Sequence, residues 1–527
     1  MKNSSVQNKG PKSKIIENLT LSLSLALPLS MTVLATIAEA RPLWIIHTND
    51  LHSHIEHATD PNKGGYPRVK TTIDRLKAQA DAEGVDTLIL DGGDFTDGSQ
   101  FFFANRGREA WRIMNYMGYD AIVIGNHDWL ISPGEINDIL GQTPPNFAFL
   151  GANFKPSQKF THLHKYLKPY EIFEKSDYKI GVVGMTTPEL FYRWRAVGAP
   201  INSHVEEGHK VMKALDPKTD FVFAITHLGV DADRELAQRV PGIDLVVGGH
   251  SHDFLYDAVY VENKRSGRRV PIVQAGKHGE AVGSLKVDLV PGKPVRILDY
   301  QLIPVEKDSA DEDLTVAQIV EQTRMLLERD YGAAWLYEEV GYSHVPLERQ
   351  MDHIETPWSS LVAEAMIDAT GADLSLDIPE FSGNNKPAGP ITRETIMGLY
   401  PRTFNMDRPL GWTVWNAELR GWILEIALRE ALKRDAPITI GGVTYKSQMV
   451  RGKKKISSIR LRGEQINPFK NYTLAVPEAI GRGAVEISDM FGLIVKNSRD
   501  SGIPMWTAIE DRIRKVTPIG PSVRGRR

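Results

Sequence analysis

The sequence predicts an α/β fold for the larger, N-terminal part of the chain. Two observations support this prediction: short apolar runs of strand length recur from Pro42 onward, and segments with the apolar spacing of helices separate them. Strand runs that alternate with helices indicate a sheet layered by helices. The length of 527 residues, of which 42% are hydrophobic and 24% charged, allows two or three domains and excludes a largely disordered chain.

The first predicted elements alternate between strand and helix. A strand is expected at Leu43–His47, a helix at residues 67–82 and a second strand at Thr87–Asp91. A second helix at residues 106–117 and a third strand at Ala121–Ile124 follow. Four later apolar runs continue the strand pattern: Ile180–Met185, Phe221–Thr226, Ile243–Val247 and Pro271–Gln274.

The texture of the sequence changes after Pro304, which predicts a domain boundary. Residues 308–313 are acidic and polar, as in a linker, and residues 314–328 have helical spacing. A second, smaller domain is expected to contain a helix at Ser360–Ala369 and strands at residues 411–415 and 472–476. The expected organisation is a targeting segment at 1–40, a first domain at 41–307, a linker and connecting helix at 308–340, a second domain at 341–517 and a basic tail at 518–527.

The N-terminal 40 residues have the three-part pattern of a secretory signal peptide. Four lysines precede an uncharged apolar run from Leu19 to Ile37, and Ala38-Glu39-Ala40 supplies a small-residue cleavage site. Cleavage before Arg41 would release a periplasmic or secreted protein without a membrane attachment. The alternative is an uncleaved membrane anchor, because the apolar run is nearly long enough to span a bilayer.

Charge and cysteine content exclude several classes of function. The chain has 63 Lys and Arg against 66 Asp and Glu, a formal net charge of −3, which is too close to neutral for a protein built around a nucleic-acid polymer. It has no cysteine, which excludes disulfides, thiol catalysis and Cys-ligated zinc.

Metal-capable side chains follow five of the predicted strands. Ligands of α/β proteins bind at the carboxyl ends of the strands, so these side chains are expected to converge in one cleft. The seven candidate ligands are Asp50, His52, Asp94, Asn126, His227, His250 and His252. A single such fragment is common in loops, whereas five of them in order, each after a strand, predict a metal site.

The donor types and their number predict two divalent ions. Imidazole nitrogens with carboxylate or amide oxygens suit Mn, Zn, Co or Fe. Seven ligands exceed the four of one tetrahedral ion, and a carboxylate that bridges two ions would use them all. We expect Asp94 to be that bridge. Two ions about 3.5–4 Å apart clamp a phosphoryl group and lower the pKa of a bound water to about 7.

The ordered motifs D-x-H, G-G-D, G-N-H-[DE], T-H-x-G and G-G-H-[ST]-H resemble those of the metallophosphoesterases, and among them the two-domain 5′-nucleotidase family. The resemblance covers about residues 43–515 and is stronger in the first domain. It implies a β-sandwich flanked by helices (αββα) for the first domain and a smaller, α+β second domain. It implies one metal at Asp50, His52, Asp94 and His252, and another at Asp94, Asn126, His227 and His250.

The resemblance also implies an activity. The chain is expected to be an extracytoplasmic phosphohydrolase in which a metal-bound hydroxide attacks a small phosphate ester, with nucleotides as the default substrate class. By resemblance, His127 lies over the metals without binding them and stabilises the transition state or the leaving group.

Two departures from the family pattern concern the catalytic histidine and the phosphate. Relatives read G-N-H-E-F-D, in which the last Asp orients the His, and this chain has Leu130 there. That leaves Asp128, or no residue, to orient His127, and losing an orienting carboxylate can cost orders of magnitude in rate. Relatives also carry N-x-G-G-x-R after an Ala-Asp-Leu segment. Here that stretch contains Asp377 and Glu380 instead, and carboxylates repel a phosphate.

Substrate contacts are therefore expected from other residues of the second domain. Arginines that could bind the phosphate are Arg402, Arg408 and Arg482. Aromatic side chains that could stack on a base are Phe381, Phe404, Phe491 and Trp506. For each of these residues, a purely structural place in the core or on the surface is the alternative.

Three other functions stay open at this point. Some relatives cleave 2′,3′-cyclic nucleotides. A related branch, the thiosulfohydrolases of sulfur oxidation, releases sulfate from a carrier-protein adduct and also departs from the His–Asp pair and the N-x-G-G-x-R loop. A non-catalytic protein that keeps its metals is the third alternative, against which the complete ligand set argues.

Overall fold

Two β-sheets, each with parallel strands at its centre, form the middle of the N-terminal half. The computed structural model describes residues 40–188, 195–349, 355–406, 410–433, 438–451, 453–483 and 498–521. The strands of this half are β1 (Arg41–Thr48), β2 (Asp86–Asp91), β3 (Ala121–Val123), β4 (Ala148–Leu150), β5 (Leu167–Lys168), β6 (Tyr170–Lys175), β7 (Tyr178–Thr186), β8 (Phe221–His227), β9 (Leu245–Val247), β10 (Val259–Glu262), β11 (Arg269–Val273), β12 (Ala281–Leu289) and β13 (Arg296–Pro304).

In both sheets the central strands pair in parallel. The first sheet runs β13-β12-β1-β2-β3-β4-β5 and the second β10-β11-β9-β8-β7-β6. β1, β2 and β3 pair in parallel, as do β7, β8 and β9. Alternate apolar residues of the two sheets, such as Leu43, Leu90 and Phe223, are fully buried in one shared cluster. The two sheets therefore pack face to face, with their opposite faces left for helices.

The helices of this half cover the outer faces of the sandwich. They are α1 (Tyr66–Glu83), α2 (Arg108–Met117), α3 (Asn126–Leu130), α4 (Pro133–Gln142), α5 (Thr161–Tyr166), α6 (His204–Leu215) and α7 (Val230–Arg239). Apolar residues of α1 and α2 join the cluster outside the first sheet, and those of α6 and α7 join the cluster outside the second. The arrangement is the αββα sandwich, so the fold prediction is confirmed.

The C-terminal half contains smaller sheets. Its strands are β14 (Glu339–Ser343), β15 (Leu374–Asp377), β16 (Gly389–Thr392), β17 (Thr413–Arg420), β18 (Thr439–Gly441), β19 (Val443–Val450), β20 (Lys453–Leu461), β21 (Glu464–Gln465), β22 (Asn471–Pro477) and β23 (Ser498–Pro504). Its helices are α8 (Leu314–Tyr331), α9 (Ala333–Leu336), α10 (Pro357–Thr370), α11 (Arg393–Leu399), α12 (Gly421–Lys433), α13 (Glu478–Gly481) and α14 (Met505–Val516). The largest sheet runs β18-β15-β22-β17-β23, mostly antiparallel, as expected of an α+β domain.

Local sequence signals explain where the main helices begin and end. The side chain of Asp313 accepts a hydrogen bond from Val316 N at the start of α8, the predicted connecting helix. Thr356 forms a capping box with Ser359 at the start of α10. Gly371, with a φ of +69°, ends α10 in a left-handed turn that favours glycine.

The two halves share one hydrophobic core. A single cluster contains residues of α1 and α2 together with residues of α8, α10 and α14. Residues 40–527 form one compact unit. The domain bounds therefore stay predictions. Nearly all of the predicted signal peptide lies outside the described residues, and within the described residues we find no helix with the length and apolarity needed to cross a bilayer.

Candidate metal centre

The predicted ligands stand at the carboxyl ends of five strands, on loops with unusual backbone geometry. Five of them have positive φ values, from +49° to +79°. These are Asp50, His52, Asp94, His250 and His252. Non-glycine residues seldom adopt this region, which costs on the order of 1 kcal/mol per residue and is typical of functional sites. The turns direct side chains from both sheets into one cleft.

Glycines let these loops approach one another closely. A Cβ atom at Gly125 would lie 2.1 Å from Oδ1 of Asp94, and one at Gly93 would lie 2.7 Å from the carbonyl oxygen of Val123. Gly93 also has a φ of +85°. The glycines of the G-G-D and G-N-H motifs are therefore required by packing around Asp94.

The first cluster of donors is formed by Asp50, His52 and His252. Oδ1 of Asp50 lies 3.3 Å from Nε2 of His252 and 3.7 Å from Nε2 of His52. The two imidazole Nε2 atoms lie 3.1 Å apart. Oδ1 of Asp50 is buried and has no hydrogen-bond partner among the described residues. A carboxylate oxygen without a donor, beside two converging imidazole nitrogens, fits a bound cation.

The second cluster is formed by Asp94, His227 and His250, with Asn126 beside them. Nε2 of His227 lies 2.9 Å from Oδ2 of Asp94 and 3.1 Å from Oδ1 of Asn126. Oδ2 of Asp94 is also 3.8 Å from Nε2 of His52, so this carboxylate lies between the two clusters. The structure thus brings all seven predicted ligands together, with the carboxylate of Asp94 between the two clusters.

Backbone carbonyls orient the ligand histidines. Nδ1 of His227 is 2.7 Å from the carbonyl oxygen of Gly92, and Nδ1 of His52 is 2.8 Å from that of Asp97. With Nδ1 protonated and bonded outward, Nε2 keeps the lone pair that a metal ion would use. Burial alone would raise the pKa of Asp50 and Asp94, but the surrounding histidines hold the pKa of both carboxyls below the usual range.

The histidine that follows Asn126 has a carboxylate partner that the sequence did not reveal. Nδ1 of His127 lies 2.7 Å from Oδ2 of Asp97, on the loop after β2. Burial by itself raises the pKa of Asp97. The positive charge of Arg402 and the hydrogen bond from His127 lower this pKa by more, so the net shift is downward. The available signal was a carboxylate three residues after Asp94, in the run Asp94-Phe-Thr-Asp97.

Asp128, considered from the sequence as a partner of His127, binds backbone amides instead. Its Oδ2 accepts hydrogen bonds from Gly125 N at 2.8 Å and Asp94 N at 3.0 Å. Its Oδ1 accepts from the amide and the hydroxyl of Thr96, at 3.1 and 3.0 Å. The carboxyl is fully buried, and burial raises its pKa to about 6. Asp128 therefore joins the loop that carries Asp94 to the turn before His127.

A cavity of about 740 Å³ opens over the two clusters, and both halves of the chain line it. From the C-terminal half come Arg349, Glu380, Phe381, Ser382, Gly383 and Arg402. Nη1 of Arg349 donates to Ser382 O at 3.1 Å. No motif in the sequence pointed to Arg349, because its stretch of chain has no recognisable pattern.

Among the residues predicted to contact the substrate, some line the cavity and others do not. Arg402 lines the cavity and its Nη1 lies 2.9 Å from Oδ2 of Asp97. Arg482 is paired with Glu478 at 2.7 Å, and its side chain is 40% exposed. Phe404 is not among the described residues that line the cavity; its ring lies 5.0 Å from that of Trp412. Arg408 and Phe491 lie outside the described residues.

Of the two carboxylates expected to repel a phosphate, one lies at the cavity and the other is buried in a strand. Glu380 lines the cavity. Asp377 is 2% exposed within β15 and accepts a hydrogen bond from the hydroxyl of Tyr400 at 3.1 Å. Of the remaining aromatic candidates, Phe381 lines the cavity, whereas Trp506 is buried and donates to Tyr400 O at 2.8 Å.

Two family models match the chain. Residues 43–254 match the calcineurin-like phosphoesterases, and residues 339–492 match the C-terminal domain of 5′-nucleotidases. Among curated proteins, Protein UshA of Yersinia enterocolitica is 28% identical over 86% of this chain and 88% of its own length. The 5′-nucleotidase of Bos taurus is 27% identical over 92% of this chain and 91% of its own length.

Solved structures share the fold across both halves. The 5′-nucleotidase precursor of Thermus thermophilus superposes with a TM-score of 0.77 at 23% identity, covering 92% of this chain and 98% of its own. A sulfate thiohydrolase of the same organism superposes with a TM-score of 0.70 at 18% identity, covering 92% of this chain and 96% of its own. At these identities the likeness concerns the fold alone.

Proposed function

We propose that this chain, which belongs to the two-domain 5′-nucleotidase family of the metallophosphoesterases, hydrolyses phosphate esters of nucleotides with the help of two divalent metal ions. The single observation that carries the proposal is the convergence of seven nitrogen and oxygen donors from five strand ends, with the carboxylate of Asp94 between the two clusters. When bound, two such ions supply Lewis acidity toward the phosphoryl oxygens and lower the pKa of water.

The residues of the chain itself have three tasks in this reaction. The carboxylates of Asp50 and Asp94 supply negative charge to the ions, and the outward hydrogen bonds of His52 and His227 hold the imidazoles in place. His127 lines the cavity beside Asp94 and stabilises the leaving oxygen. Asp97 accepts the hydrogen bond of Nδ1, which leaves Nε2 of His127 for that oxygen.

Nucleotides are the proposed substrate class for two reasons. The cavity of about 740 Å³ is much larger than a phosphate group needs and is in the size range of small-molecule sites. The curated relatives that span most of the chain include proteins named 5′-nucleotidase. Arg349 supplies positive charge on the side of the cavity that the C-terminal half forms, where a phosphate or a second anionic group would lie.

We further propose that the protein acts outside the cytoplasm, after cleavage before Arg41, and that residues 41–307 and 341–517 are its two domains. The first 40 residues support export by their basic head, apolar run and small-residue end. Cell fractionation, with mass spectrometry of the N-terminus, tests this part. A protein that keeps residues 1–40 and stays with the membrane would contradict it.

The activity is tested by phosphate release from 5′-AMP by residues 41–527 loaded with Mn²⁺, with the bound metal counted by elemental analysis. We expect release and two ions per chain, and we expect Asp94→Asn to lose both activity and metal. Asp74→Asn, which changes a half-exposed carboxylate on α1, is the matched control and should behave as the wild type. An active Asp94→Asn variant would contradict the bridging position. A metal-loaded wild type that releases sulfate from a thiosulfonated carrier, and no phosphate, would contradict the substrate class.

A further inference from the structure

We infer that Arg402 of the C-terminal half positions the imidazole of His127 through Asp97, so that one ion pair ties the catalytic histidine to the docked state of the two halves. The inference rests on the proposed function, since it concerns the group that assists the leaving oxygen. Arg402 and Asp97 are positioning residues in this scheme, and His127 is the catalytic residue.

A single carboxylate oxygen receives both donors. Oδ2 of Asp97 lies 2.7 Å from Nδ1 of His127 and 2.9 Å from Nη1 of Arg402, and these two donor atoms are 3.3 Å apart. Asp97 and Arg402 are 6% and 9% exposed. Oδ1 of Asp97 has no hydrogen-bond partner among the described residues. Because only one oxygen is anchored, the direction of the carboxylate depends on these two donors together.

The guanidinium of Arg402 is fixed to the C-terminal half. Its Nε donates to Phe381 O at 3.0 Å, and its Nη2 donates to Glu380 O at 3.1 Å. The ring of Phe381 packs edge-on against that of Trp412 at 4.9 Å. The guanidinium therefore presents Nη1 to Asp97 while two backbone carbonyls of the C-terminal half hold its other nitrogens.

The segment that follows Asp97 lies in the contact between the halves. It runs through Gln100–Gly107, a 3₁₀ segment interrupted by non-helical backbone at residues 104–106. Phe103 in this segment is 2% exposed and packs edge-on against Trp506 of α14 at 4.9 Å. The side chain of Gln100 accepts a hydrogen bond from Asn384 at 3.3 Å. A displacement of the C-terminal half would thus withdraw Arg402 and pull on the chain beside Asp97 at the same time.

The physical consequence concerns the hydrogen bond of His127. A buried carboxylate is costly without a positive partner, so Asp97 needs Arg402 to remain a charged acceptor at this place. His127 enters this step as the imidazolium; as the P–O bond to the leaving group breaks, its Nε2 gives a proton to the leaving oxygen and the ring becomes neutral, while Asp97 holds Nδ1–H throughout. Without Arg402 the imidazole loses its fixed orientation, and proton donation to the leaving oxygen is impaired.

Kinetics with two esters test the inference. For Arg402→Ala we expect kcat on 5′-AMP to fall about 100-fold with KM changed less than threefold, since general-acid assistance is worth about 10²–10⁴-fold. On 4-nitrophenyl phosphate, whose leaving group departs without a proton, kcat should fall less than about threefold. Asp97→Asn should show the same pattern, and the double variant should be no worse than Asp97→Asn. An equal loss on both esters, or a raised KM with unchanged kcat, would make Arg402 a substrate contact and overturn the inference.

Two further variants serve as a graded test and a control for this experiment. Arg402→Lys keeps a charge but cannot bind Asp97 and both carbonyls at once, so we expect an intermediate loss on 5′-AMP. Arg324→Ala is the matched control, because Arg324 joins the halves through ion pairs with Glu56 and Glu394 and not through Asp97. Removing these two partly buried ion pairs weakens the contact between the halves without touching Asp97, so this control should keep the ratio of the two esters unchanged.

Crystal structures of the wild type and Arg402→Ala separate failure of this inference from failure of the proposed function. If the wild type hydrolyses no phosphate ester, the proposed function fails, and the distance from His127 Nδ1 to Asp97 Oδ2 still reports on the positioning. We expect this distance to open beyond about 3.5 Å in Arg402→Ala. A distance retained near that of the wild type would overturn the inference, whatever the activity.

Discussion

The two walls of the cavity differ in how they are built. The metal wall consists of loops at the ends of β1, β2, β3, β8 and β9, all within the N-terminal sandwich, and it carries the seven predicted ligands. The C-terminal wall consists of Arg349, Glu380, Phe381, Ser382, Gly383 and Arg402. The first wall has all five ordered motifs and departs from the family pattern at Leu130, whereas the second lacks the N-x-G-G-x-R loop.

This difference shows which parts of such a site depend on local sequence. On the metal wall each predicted ligand directly follows the end of a strand, so a motif in the sequence also tells where its side chain lies in the fold. On the C-terminal wall a side chain reaches the site only through the docking of two halves, as Arg402 does across 305 residues of chain. Substitutions on the two walls should therefore have different consequences, and four of them test the comparison.

The largest effect is expected on the metal wall, for Asp50→Asn. The amide keeps the shape but removes the charge that faces His52 and His252, so metal affinity and phosphate release should fall, the latter by more than about 10³-fold. The measurements are metal content and initial rates. Asp91→Asn is the control: Asp91 is a buried carboxyl at the end of β2 that is not among the predicted ligands, and burial raises its pKa well above the usual range, so the loss of phosphate release should be less than tenfold. Equal losses in both variants would mean that packing, and not charge, makes the metal wall.

The contact between the walls is tested by Phe103→Ala. This ring is buried against Trp506 of the other half, and truncating a buried Phe costs about 3–5 kcal/mol of unfolding free energy. Urea denaturation measures the effect. Phe469→Ala, at a ring that is 83% exposed, should change the same quantity by less than about 0.5 kcal/mol. A small effect at Phe103 would show that the C-terminal wall is held in place by other contacts.

A pH-dependent effect is expected behind the C-terminal wall, at Asp377. Burial raises the pKa of this carboxyl from 3.8 to about 7. The folded chain then binds the proton more tightly than the unfolded chain, so stability from this group is complete below about pH 4 and is lost as the pH rises toward 7. The loss is at most about 1.4 kcal/mol per pH unit.

Asp377→Asn should flatten this dependence, since an amide does not ionise. The free energy of unfolding at pH 5 and pH 7.5, measured by denaturant titration, should differ less in the variant than in the wild type, by about 2 kcal/mol. Asp81→Asn, at an exposed position of α1, should leave the difference unchanged. A difference in Asp377→Asn as large as in the wild type would place the titrating group elsewhere.

The smallest effect is expected for Arg482→Ala. This arginine was a candidate phosphate contact, but it is paired with Glu478 and its side chain is 40% exposed. Exposed pairs contribute about 0–1 kcal/mol, so stability should change by less than that, and phosphate release from 5′-AMP by less than about twofold. A KM raised tenfold with an unchanged kcat would show that Arg482 reaches the substrate, and would give the C-terminal wall a residue that its geometry does not indicate.

The sequence by itself determined the N-terminal fold and the convergence of the seven predicted ligands. Apolar runs such as Leu43–His47 and Thr87–Asp91 became β1 and β2 within two residues at each end. Because parallel strands bring their carboxyl ends to one edge, residues that follow these runs must meet, whatever the length of chain between them. The convergence of Asp50, Asp94 and His227 was predictable for this reason.

Only the tertiary structure decided which carboxylate binds the imidazole of His127 and which residues of the C-terminal half face the predicted metal ligands. The sequence offered Asp128 or no partner, whereas folding turns Asp128 toward backbone amides and brings Asp97 and Arg402 to the imidazole. Arg349 reached the cavity without any signal in its sequence. The physical reason is that such contacts depend on how the two halves dock through a shared core, and docking has no periodicity or motif along the chain.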